Sequence, residues 1–226
     1  MGPEPKRAYG QFCPVAKALD LVGDRWTLLI ARDLILGPKR YTDLRAGLPG
    51  IATDLLAARL RTLEADGFVR RRELPPPAPA TVYELTARGW SLARVVESLG
   101  RFGLPYLGEV PRGDDAPAGR LVLALIPSFD PDAEPGLEET YELDISGEVF
   151  RVAVRGGAAH VERGGAPEAA LSLRTDAVTL VRMLRGEVSA TRAAGAGKLA
   201  VEGPDEALER FLAAFAWPAP QVPSAA

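Results

Sequence analysis

The chain has few of the residues that build disulfides, metal sites and catalytic centres. Its 226 residues include one cysteine, Cys13, and one histidine, His160. A lone cysteine cannot form an internal disulfide, which is typical of a reducing compartment, and we expect a cytoplasmic protein. The sequence also has no metal-ligand spacing, no Gly-x-Ser-x-Gly turn and no phosphate-binding glycine loop. It therefore predicts a protein that is not an enzyme and that holds no metal or cofactor.

Long apolar runs are absent as well. The sequence contains no stretch of about 18 or more apolar residues, the length that a membrane-spanning helix needs. Its first ten residues, MGPEPKRAYG, contain no apolar signal region. We therefore expect a soluble chain with no membrane span.

A segment rich in Gly, Pro and Asp divides the chain near its middle. Residues 108–119, GEVPRGDDAPAG, are a predicted linker between domains at 1–107 and 120–217, and residues 218–226 are a predicted disordered tail. Residues 1–107 hold 16 Lys and Arg against 11 Asp and Glu, a net charge of +5, whereas residues 108–226 hold 11 against 19, a net charge of −8. This asymmetry indicates that the first half meets a polyanion.

The first half alternates helices and strands in a recognisable order. Apolar periodicity predicts helices over 14–23, 24–37, 40–48, 52–66 and 87–101, and short strands in FVRRREL and TVYEL. We expect Thr42 and Thr86 to cap the helices that follow them. We also expect the last helix to turn four apolar residues inward: Leu92, Val95, Leu99 and Phe102. The order predicts a winged helix-turn-helix whose helix over 52–66 enters the major groove of double-stranded DNA.

The helix over 52–66 separates buried from exposed residues clearly. A step of about 100° per residue groups Leu56, Leu60 and Leu63 on the buried face. Alanines on the opposite face would allow close approach to the groove, and Asp54 there would accept from a cytosine amino group. The predicted DNA contacts on this helix, the short helix before it and the wing are Arg40, Thr42, Thr53, Asp54, Ala57, Ala58, Arg61, Arg70, Arg71 and Arg72. Arg59 lies beside the buried stripe, where we expect it to pair with an acidic neighbour instead.

The three wing arginines leave two interpretations open. Arg70, Arg71 and Arg72 alternate between the faces of a strand, so one or two of them would face phosphates. The alternative is a solvated charged strand with no partner.

Four motifs of this half occur together: the opening Cys13-Pro14, the segment Gly23-Asp24-Arg25-Trp26, the series Ile51…Leu60-Arg61…Leu63-Glu64…Gly67 and the wing segment Tyr83-Glu84-Leu85-Thr86…Gly89. In these motifs the chain resembles the HxlR family of bacterial winged-helix regulators, relatives of MarR. The resemblance implies a homodimeric transcription factor that reads a near-palindromic operator and represses a nearby promoter. It departs from the family at Ala52, where serine is usual, and at Ala80-Thr81, where a basic residue is often found.

The same resemblance suggests a role for Cys13. In several family members a cysteine at the matching place senses electrophiles or oxidants. Lys17 follows at helical spacing and would favour the reactive thiolate. Most lone cysteines are inert, so a structural role is the alternative.

The second half changes in character. Strand-like alternation occurs in YELDI, FRVAV, LSL and KLAVEG, and helices are predicted over 177–184, near 189–195 and over 205–215. The apolar run LVLALI at 121–126 fits either a buried strand or one face of a helix. We expect an α+β domain with an antiparallel sheet and helices.

Three segments of this half form a second set of motifs: Thr175-Asp176, Leu184-Arg185-Gly186-Glu187 and Gly197-Lys198-Leu199…Gly203. With them, residues 137–216 resemble a sterol carrier protein-like lipid-transfer domain. The resemblance implies a sheet with helices over one face that encloses an apolar tunnel. We expect a lipid or another apolar small molecule bound there to modulate DNA binding, and the alternative role is a dimerisation or partner-docking module. Residues that would line such a pocket, or simply fill the core, are Val181, Leu184, Leu208, Phe211 and Phe215. An alternative function is a lipid carrier whose winged-helix half serves mainly dimerisation.

Overall fold

The computed structural model describes residues 8–77, 79–109, 117–218 and 221. The chain divides into two compact units, Met1–Val96 and Glu97–Ala226, and one helix runs across the division. Most of the predicted linker, residues 110–116, and most of the predicted tail lie outside the described residues.

The first unit is a helical domain with a small antiparallel sheet. Its elements are α1 (Pro14–Val22), α2 (Thr27–Ile35), β1 (Lys39–Arg40), α3 (Tyr41–Gly47), α4 (Thr53–Ala65), β2 (Val69–Leu74), β3 (Ala80–Leu85) and the start of α5 (Ser91–Gly103). The three strands pair in the order β1-β3-β2. This arrangement confirms the predicted winged helix-turn-helix, with β2 and β3 as the wing.

The core of the first unit joins α2, α3 and α4. Leu34 of α2, Leu44 of α3 and Leu60 of α4 are each at most 1% exposed. Burying one leucine side chain contributes about 1.5–3 kcal/mol, so this cluster holds the three helices against one another.

Helix α3 begins at Tyr41, one residue later than the predicted range of 40–48, and Thr42 is not its cap. Lys39 and Arg40 pair with β3 as a short strand that the sequence did not reveal, so the chain stays extended up to Arg40. The backbone N–H of Arg40 then donates to the carboxylate of Asp43 at 3.1 Å. Asp43 therefore satisfies the end of the helix that we had assigned to Thr42.

Helix α5 corrects a second prediction, because most of its apolar stripe faces outward. Leu92 is 5% exposed, but Val95 is 39%, Leu99 50% and Phe102 71% exposed. Periodicity identified the stripe correctly, yet no element within the described residues of one copy covers it.

The second unit is an α+β domain. Its elements after α5 are α6 (Ala118–Ser128), β4 (Thr140–Ile145), β5 (Glu148–Arg155), β6 (Ala158–Arg163), β7 (Leu171–Thr175), α7 (Ala177–Leu184), α8 (Ala190–Gly195), β8 (Leu199–Glu202) and α9 (Asp205–Ala214). The ambiguous run at 121–126 is thus helical. Gly100 of α5 packs against α6 so closely that a Cβ there would lie 2.9 Å from Pro127.

The sheet of this unit is mixed, and the prediction of an antiparallel sheet was wrong in that respect. Its strands lie in the order β6-β5-β4-β7-β8, and β4 pairs with β7 in parallel, with Tyr141 opposite Leu171. The other pairings are antiparallel. After the β4-β5-β6 hairpins the chain returns to the free side of β4. The alternation of apolar residues along a strand carries no information about its direction.

Candidate nucleic-acid interface

Two contacts position the helix-turn-helix pair. The hydroxyl of Tyr41, at the start of α3, donates to the carbonyl oxygen of Thr53, at the start of α4, over 2.7 Å. At the other end of α3, Gly47 approaches α2 so closely that a Cβ would lie 2.5 Å from the carboxylate of Asp33. Tyr41 therefore fixes the start of α4 against α3, and Gly47 allows α3 to pack against α2. Neither contact is evident from the sequence, because each joins separate segments.

Helix α4 presents the predicted faces. Leu56, Leu60 and Leu63 are at most 1% exposed, and Thr53, Asp54 and Arg61 lie exposed on the other side. The half-buried Ala57 and Ala58 lie between these two groups of residues. The small side chains of Ala57 and Ala58 thus leave room for a duplex to approach the helix closely.

Arg61 carries a charge that no carboxylate neutralises within the described part of the chain. Its side chain is exposed, and no Asp or Glu oxygen described here lies within 4.0 Å of its guanidinium nitrogens. Arg40, just before α3, and Arg45 on α3 are likewise exposed with no described carboxylate within that distance. Arg45 is not among the DNA contacts predicted from the sequence, and its exposed position on α3 makes it a further candidate.

Arg59 behaves as expected and pairs with an acidic neighbour. Its Nη1 lies 2.7 Å from Oδ2 of Asp24, in the loop before α2. The pair ties α4 to the Gly23–Trp26 segment, where Trp26 takes a left-handed backbone conformation with φ of 80°. Arg59 therefore holds α4 against the segment before α2.

The wing arginines are paired, which the sequence did not reveal. Arg70 and Arg72 lie on the same face of β2 and reach the two oxygens of Glu84 on β3, at 2.7 and 2.9 Å. Arg71, on the other face, lies 3.6 Å from Glu64 of α4. The two arginines hold the pKa of the Glu84 carboxyl below its usual value, chiefly through the hydrogen bond from Arg72.

A compact junction joins the wing to the start of α5. The hydroxyl of Thr86 donates to the carbonyl of Gly67 at 2.6 Å and accepts from the N–H of Gly89 at 3.0 Å. A Cβ on Gly89 would lie only 1.9 Å from the carbonyl oxygen of Phe68. These contacts explain why threonine and glycine stand three residues apart at this point. The prediction that Thr86 caps a helix over 87–101 was wrong, because residues 87–90 form a turn that Thr86 caps and α5 begins only at Ser91.

Cys13 lies half-exposed at the residue before α1. Its carbonyl oxygen accepts the N–H of Lys17 at 2.9 Å, and the Lys17 ammonium lies 3.9 Å from Asp20. The ammonium group that we expected to act on the thiol therefore has a carboxylate nearby.

The predicted pocket residues of the second unit lie in a packed interior. Val181, Leu184, Phe211 and Phe215 are at most 6% exposed, and Leu208 is half-buried. The rings of Phe211 and Phe215 are 5.0 Å apart between centroids, and both contact Tyr141. Burial and the carboxylate of Glu139, which accepts the Tyr141 hydroxyl at 2.9 Å, raise the pKa of that tyrosine. Whether these residues also bind a ligand stays a prediction.

The order of elements and the exposed helix α4 define a winged helix-turn-helix, a class whose second helix binds DNA. A search against protein-family models finds the HxlR-like helix-turn-helix model over residues 21–110 and the SCP-2 sterol transfer family over residues 124–215. Both resemblances stated from the sequence are thereby confirmed. The chain belongs to the HxlR-like helix-turn-helix family of transcriptional regulators.

Curated relatives match the first unit. An uncharacterized HTH-type transcriptional regulator of Synechocystis sp. is 36% identical over 100 residues, which cover 44% of this chain and 74% of that protein. The HTH-type transcriptional regulator YodB of Bacillus subtilis is 36% identical over 88 residues, 38% of this chain and 79% of that protein. The solved structure of YodB from B. subtilis in its reduced form has 32% sequence identity and a TM-score of 0.38, covering 44% of this chain and 100% of that chain.

None of the helices in the described ranges is both long and apolar enough to cross a membrane.

Proposed function

We propose that this chain is a homodimeric repressor that binds a near-palindromic operator close to a promoter it controls. The observation that carries the proposal is the exposed face of α4. There the free guanidinium of Arg61 stands beside two small alanines, opposite a fully buried leucine stripe.

The face of α4 suits the floor of the major groove. Ala57 and Ala58 let the helix come close, and Arg61 then reaches a guanine edge, with which arginine forms a bidentate pair. Asp54 would be repelled by phosphates, so its place on this face favours a cytosine amino group as its partner. Thr53 at the first turn of α4, Arg40 just before α3 and Thr42 on α3 lie where backbone phosphates would pass.

The wing contributes a contact that is independent of the base sequence. Arg71 is 59% exposed and is held only loosely by Glu64, at 3.6 Å. Its guanidinium can turn to a phosphate, while Arg70 and Arg72 offer their outer N–H groups from a fixed position. Such contacts add affinity but no discrimination between sequences.

A second copy of the chain would cover the exposed apolar stripes. Leu99 and Phe102 on α5, and Val15 and Leu19 on α1, are between 45% and 71% exposed. Large exposed apolar surfaces on a chain of this size typically mark an interaction site. Two copies would present two α4 helices to the half-sites of one operator.

The second unit would modulate DNA binding by taking up an apolar small molecule or lipid. The family match over residues 124–215 and the aromatic interior around Phe211 and Phe215 support this part of the proposal. A ligand affects the operator complex only if it binds one dimer conformation better than another, and couplings of about 1–3 kcal/mol are typical. Mass spectrometry of small molecules that copurify with the chain would identify the class of ligand.

The proposal is tested by fluorescence anisotropy of the purified chain on two DNAs, its own upstream intergenic region and a scrambled duplex, over a series of salt concentrations. We expect tight binding to the first only, and a salt slope of about −0.9 for each phosphate neutralised. Sedimentation of the free chain should show a dimer. Weak and equal binding to both DNAs, together with a copurifying lipid, would favour a carrier protein whose winged-helix half serves dimerisation.

Cys13 adds a redox response to the proposal. Its half-exposed position before α1, a helix with an exposed apolar stripe, lets oxidation act on the surface that we assign to the dimer. We expect an oxidant such as diamide to release the operator from the wild-type chain but not from Cys13→Ser. Equal release from both proteins in the same anisotropy assay would show that the cysteine is inert.

A further inference from the structure

The wing contains a carboxylate shared by two arginines. Glu84 of β3 lies directly opposite Arg70 in the strand register, and Arg72 lies two residues along on the same face. The Nε atoms of Arg70 and Arg72 donate to different oxygens of Glu84, at 2.7 and 3.0 Å. Their Nη2 atoms lie 2.7 and 2.9 Å from the same oxygens. The Nε–Nη2 edge of each guanidinium is therefore occupied by the glutamate.

The arginines cover the carboxylate rather than the reverse. The side chain of Glu84 is 12% exposed, whereas those of Arg70 and Arg72 are 65% and 44% exposed. A duplex beside the wing would meet two fixed guanidinium groups and no accessible carboxylate. The two arginines and Glu84 together nevertheless carry a net charge of +1 and not +2, because the glutamate beneath the arginines is ionised at neutral pH.

The charge that the wing presents determines how much of the DNA affinity is independent of sequence. Affinity for DNA of any sequence rises with the number of phosphates that a protein neutralises, and log K changes with log salt by about 0.9 for each. Discrimination comes from base edges, which α4 contacts in the proposed complex. A stronger wing would therefore raise binding to all DNA and reduce the share of affinity that depends on sequence.

We propose that Glu84 limits the sequence-independent part of DNA binding, because it cancels one of the two charges on this face of the wing. This inference rests on the proposed function, because it needs a chain that binds DNA. The lowered pKa of the Glu84 carboxyl supports it, since the carboxylate stays charged throughout the physiological range.

The test compares two substitutions that remove the same formal charge from the same ribbon. Glu84→Gln frees both arginines. Glu73→Gln is the matched control, because the Glu73 carboxylate accepts from the hydroxyl of Thr81 at 2.6 Å and has no arginine within ion-pair distance among the described residues. Affinities for the upstream DNA and the scrambled duplex are measured by anisotropy over the same salt series.

We expect Glu84→Gln to bind both duplexes more tightly by the same factor and to steepen the salt slope on each by about 0.9. The ratio of the two affinities should stay near the wild-type value, and Glu73→Gln should produce a smaller gain and a smaller change in slope. Arg72→Gln is a second variant that keeps the ion pair between Arg70 and Glu84. It should weaken binding to both DNAs by the same factor and reduce the slope by about 0.9.

Three results would overturn the inference. Equal effects of the two glutamate substitutions would mean that only long-range charge matters. Weaker binding of Glu84→Gln to both DNAs, in a chain with a wild-type melting temperature, would mean that the carboxylate is needed to order the arginines. A wild-type chain that does not bind the upstream DNA selectively would overturn the proposed function and this inference with it. The wild-type measurement therefore distinguishes that failure from the other two, in which the wild type still binds selectively.

Discussion

Helix α4 and the wing both carry arginines, but the two elements differ in how much of that charge is available. On α4 the exposed Arg61 has no carboxylate within ion-pair distance in the described structure, whereas Arg59 is bound to Asp24 at 2.7 Å. On the wing, Arg70 and Arg72 share Glu84, and Arg71 has Glu64 at 3.6 Å. Three consecutive arginines in the sequence thus contribute less free charge than their number indicates. The charge that a basic segment offers to a partner therefore depends on the carboxylates that the fold places beside it.

The largest expected effect separates the buried face of α4 from its exposed face. Leu60→Ala removes a side chain that is 1% exposed, so we expect the free energy of unfolding to fall by about 2–5 kcal/mol. Arg61→Ala on the exposed face should change it by less than about 0.5 kcal/mol. Urea denaturation followed by circular dichroism measures both, and similar losses in the two variants would contradict the assignment of faces.

A smaller effect tests whether α4 reads the operator. Arg61→Ala removes the free guanidinium, and we expect specific binding to weaken by about 1–3 kcal/mol, with little change on scrambled DNA. Arg174→Ala, an exposed arginine on the sheet of the second unit, is a control with the same change in charge. If both variants lose the same affinity on both DNAs, Arg61 acts only through net charge.

The wing should respond differently from α4. Arg71→Ala removes one phosphate contact, so its affinity should fall on upstream and scrambled DNA alike, and its salt slope should decrease by about 0.9. Anisotropy over a salt series distinguishes this uniform loss from the selective loss expected for Arg61→Ala. A loss of affinity for the upstream DNA alone in Arg71→Ala would indicate that the wing contacts base edges. It would contradict the difference that we expect between the wing and α4.

The smallest expected effect concerns stability and pH. The folded-state pKa of Glu84 lies below the usual 4.5, so the ion pairs stabilise the fold above about pH 4.5 and this contribution is lost as the pH falls through the lowered pKa. Because both arginines are largely exposed, we expect less than about 1 kcal/mol. The difference in unfolding free energy between the wild type and Glu84→Gln should shrink from pH 6 to pH 3. A difference independent of pH would show that the carboxylate contributes nothing as an ion.

The sequence by itself determined most of the elements and the motifs of both units. The period of the leucines identified the buried face of α4, and Thr86 and Gly89 belong to the wing motif that carried the family resemblance. These features depend on residues a few positions apart, or on motifs that persist through a family. Their physical cause lies in helix geometry and in a close approach of backbone that only glycine allows.

Only the tertiary structure decided which charges are free, which apolar stripe is covered and which way a strand runs. Glu84 neutralises arginines that lie 14 and 12 positions away. Phe102 and Leu99 belong to a regular apolar stripe that stays exposed in one copy of the chain. Strand β7 lies parallel to β4 although its alternation would suit either direction. Each of these outcomes depends on contacts between distant segments, and neither composition nor local periodicity contains information about them.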